Sequence, residues 1–68
     1  MSVGTNIRRR RMALGLSQAY VAEQASVSQP MLNQVERGTK NPSLQASAGI
    51  AKALQCKIED FLEGEAED

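Results

Sequence analysis

The sequence contains no histidine and a single cysteine, Cys56. One cysteine without histidine excludes an intrachain disulfide, a zinc site of the Cys/His type, and the Cys-His and Ser-His pairs of nucleophilic catalysis. The chain also lacks a glycine-rich phosphate loop and paired carboxylates in an evident pocket. These absences argue against an enzyme and predict neither a metal nor a cofactor. The apolar neighbours of Cys56 indicate a small core residue.

Long apolar runs are lacking as well. No stretch approaches the roughly 18 apolar residues of a membrane span, and the N-terminal MSVGTNIRRRR has no apolar segment of the signal-peptide kind. We therefore expect no membrane partner and a cytoplasmic location. The 68 residues are enough for one domain, near the lower limit of independent folding. Its core is expected over residues 6–62, followed by an acidic tail over residues 63–68.

The formal net charge is zero, but the charges are not evenly distributed. Residues 1–40 carry six arginines and lysines against two acidic residues, whereas residues 41–68 carry two against six. Such asymmetry indicates one surface that meets an anion and another that faces away from it. The alternative is that these charges only keep the chain in solution, and the distribution alone does not decide between the two.

The apolar spacing is helical throughout, without an internal repeat or an alternating strand pattern, and predicts an all-α fold. The first helix is expected from about Asn6 to Leu14, capped by Thr5 or Asn6 and ended by Gly15. Three further helices follow, each with a serine as its N-cap: 17–25 with Ser17, 28–37 with Ser28 and 43–54 with Ser43. Gly38 lies beyond the end of the third helix. A short helical turn over 58–62 completes the chain of elements. Gly49 inside the fourth helix indicates either a close helix approach or a locally weak helix.

The third segment has two distinct faces. At about 100° per residue, Met31, Leu32 and Val35 form one apolar stripe for the core. The opposite side is rich in amides and consists of Gln29, Pro30, Asn33, Gln34 and Arg37. Amide side chains can form bidentate hydrogen bonds to adenine in the DNA major groove, and proline offers an apolar surface to a thymine methyl group. This side is a candidate DNA-reading surface, and an ordinary solvated helix face is the alternative.

Three segments follow a family pattern at consistent spacing: GLSQAYVA, VSQPMLNQVERG and NPSL. Residues 6–62 resemble the Cro/CI-type (XRE-type) helix-turn-helix family of phage repressors and small bacterial regulators. The resemblance implies a compact, lambda-repressor-like bundle of five helices, with the motif over 18–37 and the recognition helix over 29–37. One position departs from the family, which usually has glycine in the turn where this chain has Ser26. A left-handed backbone at a serine would cost about 1 kcal/mol.

The resemblance also implies roles for individual residues. It assigns base contacts to Gln29, Pro30, Asn33 and Gln34, and phosphate contacts to Gln18, Arg37, Thr39, Lys40 and Asn41. Arg11 and Glu36 match positions that form a buried ion pair, so Arg11 is expected to be structural. Of Arg8, Arg9 and Arg10, which remain in solvent, one or two are expected to reach phosphates, and Arg10 is the residue assigned.

The function implied is that of a sequence-specific regulator of transcription, a repressor or autoregulatory controller of bacterial or phage origin, whose partner is double-stranded DNA. A single domain with few base contacts binds weakly, so a homodimer on a palindromic operator is expected. The candidate dimer surface is Ile58, Phe61 and Leu62, which in the alternative case close the monomer core. No effector domain fits into the six residues that follow, so no small-molecule effector is expected. The competing class is a protein-interaction module on the same fold, such as an antirepressor, which joint exposure of Tyr20 and Met31 would favour.

Overall fold

A computed structural model of the protein describes residues 2–61, and every regular element within them is helical. Four helices are complete: α1 (Val3–Ala13), α2 (Gln18–Gln24), α3 (Gln29–Glu36) and α4 (Leu44–Ala53). Residues 58–61 are helical as well and are the described part of a fifth segment. The prediction of an all-α, five-helix fold is confirmed. None of the helices in the described part of the chain is long and apolar enough to cross a membrane.

A serine precedes each of the four helices as its N-cap. The serine Oγ accepts the backbone N–H of the residue three positions further on, at 3.0 or 3.1 Å, and the serines are Ser2, Ser17, Ser28 and Ser43. Each bond satisfies one of the N–H groups that have no partner within the helix. The prediction of Ser17, Ser28 and Ser43 as N-caps is confirmed.

The start of α1 differs from the prediction, which placed it at about Asn6. The helix begins at Val3, directly after its N-cap Ser2. Gly4 explains the difference, because it is buried against the end of α3, where a Cβ atom on Gly4 would lie 2.9 Å from the carbonyl oxygen of Glu36. Glycine at a core position adds no apolar residue to the helical pattern, so the predicted start of α1 lies about one turn too late.

Left-handed backbone conformations separate the helices. Gly15 (φ 72°) and Gly38 (φ 82°) follow α1 and α3, and glycine adopts this conformation at low cost. Ser26, between α2 and α3, has a φ of 59°. The turn therefore keeps its left-handed geometry without the glycine that the family usually has there. Gln55, after α4, is the other described non-glycine residue in this region.

The apolar faces of the helices meet in one core. Its largest fully buried side chains are Ile7, Val21, Leu32, Ile50, Leu54 and Phe61. Cys56, which was expected inside the core, is half-buried and packs against it, and burial raises the pKa of its thiol. Because each fully buried large side chain contributes about 1.5–3 kcal/mol, these contacts hold α3 firmly in place.

Gly49 lies where α4 meets the C-terminal end of α2. A Cβ atom on Gly49 would lie 2.7 Å from the Cα and 3.3 Å from the carbonyl oxygen of Ala25. Any side chain at Gly49 would push the backbone of Ala25 away. Of the two explanations for this glycine, the close helix approach is therefore the correct one.

Candidate nucleic-acid interface

α2, the turn after it and α3 form the helix-turn-helix. Ala22, the small residue expected between the two helices, is 2% exposed, and Val21, Leu32 and Val35 are buried with it. Val27, in the turn, is half-buried and packs against the same core. These apolar contacts lie on one side of α3 and leave its other side facing solvent.

The solvent side of α3 borders a shallow groove. Its lining consists of Gln18, Gln29, Pro30, Asn33, Gln34 and Arg37, and we call it the reading groove. The structure brings together all four residues that were assigned to bases and two of those assigned to phosphates. Amide side chains offer both N–H donors and carbonyl acceptors, the two kinds of group that a base edge requires.

A buried ion pair adjoins the reading groove. The Glu36 side chain is 1% exposed and that of Arg11 is 12% exposed. Arg11 donates Nε to Oε2 of Glu36 at 2.8 Å and Nη2 to Oε1 at 3.1 Å, and its Nη1 donates to the carbonyl oxygen of Leu16 at 2.9 Å. The structure thus brings Arg11 and Glu36 together as a bidentate pair, in which both charges are satisfied inside the protein.

Gln18 joins this ion pair to the reading groove. Its Nε2 donates to Oε1 of Glu36 at 3.0 Å, so the carboxylate is shared by α1, α2 and α3. An amide nitrogen carries two N–H groups. One N–H of Gln18 therefore positions the side chain, and the second is left for a partner outside the chain.

Three further residues assigned to phosphates follow α3 and are exposed: Thr39, Lys40 and Asn41. Thr39 uses its hydroxyl within the chain, because Oγ1 donates to the carbonyl oxygen of Gln34 at 3.1 Å. Lys40 and Asn41 line a separate depression beside the first turn of α1. These three residues lie outside the lining of the reading groove, at the C-terminal end of α3.

Arg10, also assigned to a phosphate, has hydrogen-bond partners within the chain. Its Nε donates to the carbonyl oxygen of Leu54 at 3.0 Å and its Nη2 to that of Gln55 at 3.3 Å. These carbonyl groups close the C-terminal end of α4, where free oxygens and the helix dipole favour a cation. Arg10 therefore caps α4, and the phosphate contact assigned to it stays a prediction.

A basic cleft between α1 and α3 was not predicted from the sequence. Its lining consists of Thr5, Arg8, Arg9, Arg11, Met12, Gln18, Asn33, Glu36 and Arg37, and we call it the α1 cleft. Three of these residues, Gln18, Asn33 and Arg37, also line the reading groove. The two depressions are therefore neighbours on one surface of the protein.

The sequence does contain a signal for the α1 cleft. Thr5, Arg8, Arg9 and Met12 recur at the spacings of one helix face, three and four residues apart. Only Met12 among them is apolar, so a search for apolar periodicity does not detect this face. Arg10 does not fit this spacing, which agrees with the direction of its side chain toward the C-terminal end of α4.

The candidate dimer surface divides into three cases. Phe61 is 1% exposed and belongs to the core, and its carbonyl oxygen accepts a hydrogen bond from Nδ2 of Asn6 at 2.9 Å. Of the two possibilities that the sequence left open for Phe61, the structure therefore supports the second, in which its side chain closes the monomer core. Ile58 is half-buried and packs against that core. Leu62 and the acidic tail over residues 63–68 lie outside the described residues.

The surface expected of a protein-interaction module is not formed by Tyr20 and Met31. Tyr20 is 46% exposed, whereas Met31 is half-buried and packs against the core. The two side chains therefore do not make a joint apolar surface, which is the feature that would have favoured this class.

The sequence matches known proteins over nearly the whole chain. A family model described as helix-turn-helix matches residues 7–61. An uncharacterised HTH-type transcriptional regulator of Mycobacterium tuberculosis is 43% identical over 56 residues, which cover 82% of this chain and 40% of the relative. The chain thus spans less than half the length of that relative.

Two solved structures have the same arrangement of helices. The c2 repressor of Salmonella phage P22, in complex with a synthetic operator, has a TM-score of 0.87 at 33% identity and covers 94% of this chain and 97% of the repressor chain. The restriction-modification controller protein C.AhdI of Aeromonas hydrophila has a TM-score of 0.83 at 32% identity and covers 87% of this chain and 89% of the controller.

Proposed function

The chain belongs to the helix-turn-helix family of DNA-binding transcriptional regulators, which are not enzymes, and we propose that it acts as a repressor or autoregulatory controller of a specific operator. The observation that carries the proposal is the reading groove. Its lining holds four amide side chains, one proline and one arginine, and no carboxylate. Such a surface suits base edges and the DNA backbone, and the structurally similar P22 c2 repressor binds a synthetic operator.

In this proposal, the four residues of α3 that line the reading groove contact base edges. Gln29, Asn33 and Gln34 supply the amides, and Pro30 offers its ring to a thymine methyl group. A good bidentate contact discriminates against the wrong base by about 1–3 kcal/mol. The buried side of α3 supports this role, because a helix held by Leu32 and Val35 keeps its amides in one orientation.

Phosphate contacts from two helices hold α3 in register. Gln18 offers its second amide N–H from the first turn of α2, beside Glu36, while Arg37, Lys40 and Asn41 offer donors from the C-terminal end of α3 and the segment after it. Thr39 contacts a phosphate through its backbone or by turning its hydroxyl away from Gln34. These contacts raise the affinity for every DNA sequence, and the base contacts select among sequences.

The proposed operator is palindromic and is bound by a homodimer. A two-fold dimer places two copies of α3 in successive major grooves, with half-sites about 34 Å apart. The protein would act on DNA in the cytoplasm of a bacterial cell, without a small-molecule effector. The match covers only 40% of the Mycobacterium tuberculosis relative. The same function could therefore also be carried out by a longer regulator that contains this domain.

The direct test selects bound sequences from a pool of random duplexes and measures affinity for the best one at several salt concentrations. We expect an enriched motif with two-fold symmetry and a specific affinity well above that for bulk DNA. Analytical ultracentrifugation with the selected duplex gives the number of chains bound.

Failure of the proposal has a clear signature. If no motif is enriched and the best duplex binds no better than bulk DNA, the chain is not a sequence-specific regulator. The protein-interaction module is then the function to pursue. An enriched motif without symmetry, bound by one chain, would retain the regulator and remove the palindrome and the dimer.

A further inference from the structure

We propose that α1 is a second DNA-binding element and that Arg8 binds a phosphate beside the base pairs read by α3. This inference rests on the proposed function and extends it to a helix outside the helix-turn-helix. It selects Arg8 from the three arginines that the sequence offered as phosphate contacts, whereas the sequence had assigned Arg10, which caps α4.

The charges that line the α1 cleft are unbalanced. Four arginines line it against one carboxylate, that of Glu36. That carboxylate already accepts hydrogen bonds from Arg11 and Gln18. The ion pair is neutral as a unit, so Arg8 and Arg37 add positive charge to the cleft that no other carboxylate of its lining offsets. A concave surface with an excess of one charge concentrates ions of the opposite charge.

Four consecutive arginines on α1 have different surroundings. Arg10 caps α4 and Arg11 pairs with Glu36 inside the protein. Arg8 is exposed on the wall of the α1 cleft. Unlike the guanidinium groups of Arg10 and Arg11, that of Arg8 makes no hydrogen bond or ion pair within residues 2–61. A guanidinium presents five N–H donors in a planar fork that matches two phosphate oxygens.

The position of the α1 cleft selects the DNA backbone as the ligand. The cleft shares Asn33 and Arg37 with the reading groove, so a duplex whose bases face the reading groove brings a backbone strand to the edge of the cleft. Arg8 from α1 and Arg37 from α3 then bind neighbouring phosphates of the same half-site. An acidic protein segment would also suit a basic cleft, but nothing places such a segment beside a base-reading surface.

The test compares Arg8→Gln with Lys52→Gln in the full chain. Both substitutions remove one positive charge from an exposed helix position, and Lys52 lines neither the reading groove nor the α1 cleft. Binding to the selected duplex and to a scrambled duplex is measured by fluorescence anisotropy from low to high salt. Thermal unfolding by circular dichroism checks that each variant is folded.

Loss of one phosphate contact has a specific signature. We expect Arg8→Gln to weaken binding to both duplexes about three- to tenfold at 0.1 M salt and to reduce the slope of log K against log salt by about 0.9 for each bound protomer. The ratio of the two affinities should stay within about twofold, because phosphates carry no sequence information. Arg8→Lys should restore most of the slope, and Lys52→Gln should leave it unchanged.

Ethylation interference locates the phosphate. Ethylation of one phosphate should block the wild-type protein and have little effect on Arg8→Gln, which no longer uses that contact. If Arg8→Gln keeps the wild-type slope and the same interference pattern, α1 is not a DNA-binding element, although an enriched motif would still support the regulator. If the wild-type protein does not distinguish the two duplexes, the proposed function and this inference fail together.

Discussion

The buried ion pair and the reading groove differ in where their polar groups find partners, although both draw on α3 and share Gln18. In the ion pair, Arg11 and Glu36 are satisfied by each other and by nearby groups of the chain. In the reading groove, the side chains of Gln29 and Gln34 are exposed. Polar groups satisfied within the chain determine stability, whereas polar groups left toward solvent are available for a ligand. The two regions should therefore respond to mutation in opposite ways.

The largest expected effect concerns the ion pair. Glu36→Ala should lower the free energy of unfolding by about 3–5 kcal/mol, because it leaves the Arg11 charge buried without its partner. Urea denaturation followed by circular dichroism measures this loss. A chain of this size is marginally stable, so unfolding at room temperature is also in line with the prediction.

A double variant separates the lost charge from the lost packing. Arg11→Met combined with Glu36→Met removes both charges and should recover much of the stability, since apolar replacements of buried pairs are often neutral. A loss below about 1 kcal/mol in Glu36→Ala alone would mean that the ion pair does not stabilise the fold.

The second prediction concerns the contact between α1 and the end of α3. Gly4→Ala should destabilise the protein by about 1–3 kcal/mol, because its Cβ would lie 2.9 Å from the carbonyl oxygen of Glu36 and would push the helices apart. The measurement is again urea denaturation. Alanine in an unhindered helix position stabilises by about 1 kcal/mol relative to glycine. A gain in the free energy of unfolding would therefore contradict the close contact between Gly4 and α3.

The third prediction moves to the reading groove. Gln29→Ala should leave the free energy of unfolding nearly unchanged, because the residue is exposed. It should relax the preference at one base pair by about 1–3 kcal/mol. Binding to duplexes that carry each substitution in the selected motif measures this preference.

Lys40→Ala is the matched comparison for Gln29→Ala. It should weaken binding to all duplexes alike and reduce the salt slope by about one unit, as expected for a phosphate contact. Equal effects of the two variants on every duplex would refute the division of the surface into base-reading and phosphate-binding residues.

The smallest expected effect concerns the turn that holds the reading groove in place. Ser26→Gly should raise the free energy of unfolding by about 0.5–1 kcal/mol, because Ser26 has a φ of 59° and glycine relieves the left-handed strain. Gln55→Gly, after α4 at the same φ, serves as the control and should give a similar gain. The DNA preference of both variants should equal that of the wild type, and a change in preference for Ser26→Gly would mean that the turn adjusts the reading groove.

Features that depend on neighbours in the chain were predicted correctly from the sequence. The N-caps at Ser17, Ser28 and Ser43 are of this kind, because a cap joins residues three positions apart. The four residues of the polar face of α3 are another case, since helical spacing alone places them on the side opposite Leu32 and Val35. These four residues line one groove because the apolar residues on the opposite face of α3 pack into the core.

Features that depend on distant parts of the chain were predicted wrongly or not at all. The burial of Gly4 depends on the end of α3, and the partner of Arg10 is the end of α4. Phe61 has an apolar side chain that suits a core and a dimer surface equally well, and only its burial among core residues from the other helices assigns it to the core. Composition and spacing contain no information that separates these outcomes.

The four consecutive arginines of α1 show what the sequence determined and what the tertiary structure determined. By itself the sequence determined that α1 is a helix and that its arginines point in several directions, because successive residues are rotated by about 100°. Only the tertiary structure decided which direction meets α4, which meets Glu36 and which lines the α1 cleft. The physical reason is that the role of a charged side chain depends on its partner, and the partners of Arg10 and Arg11 lie far along the chain.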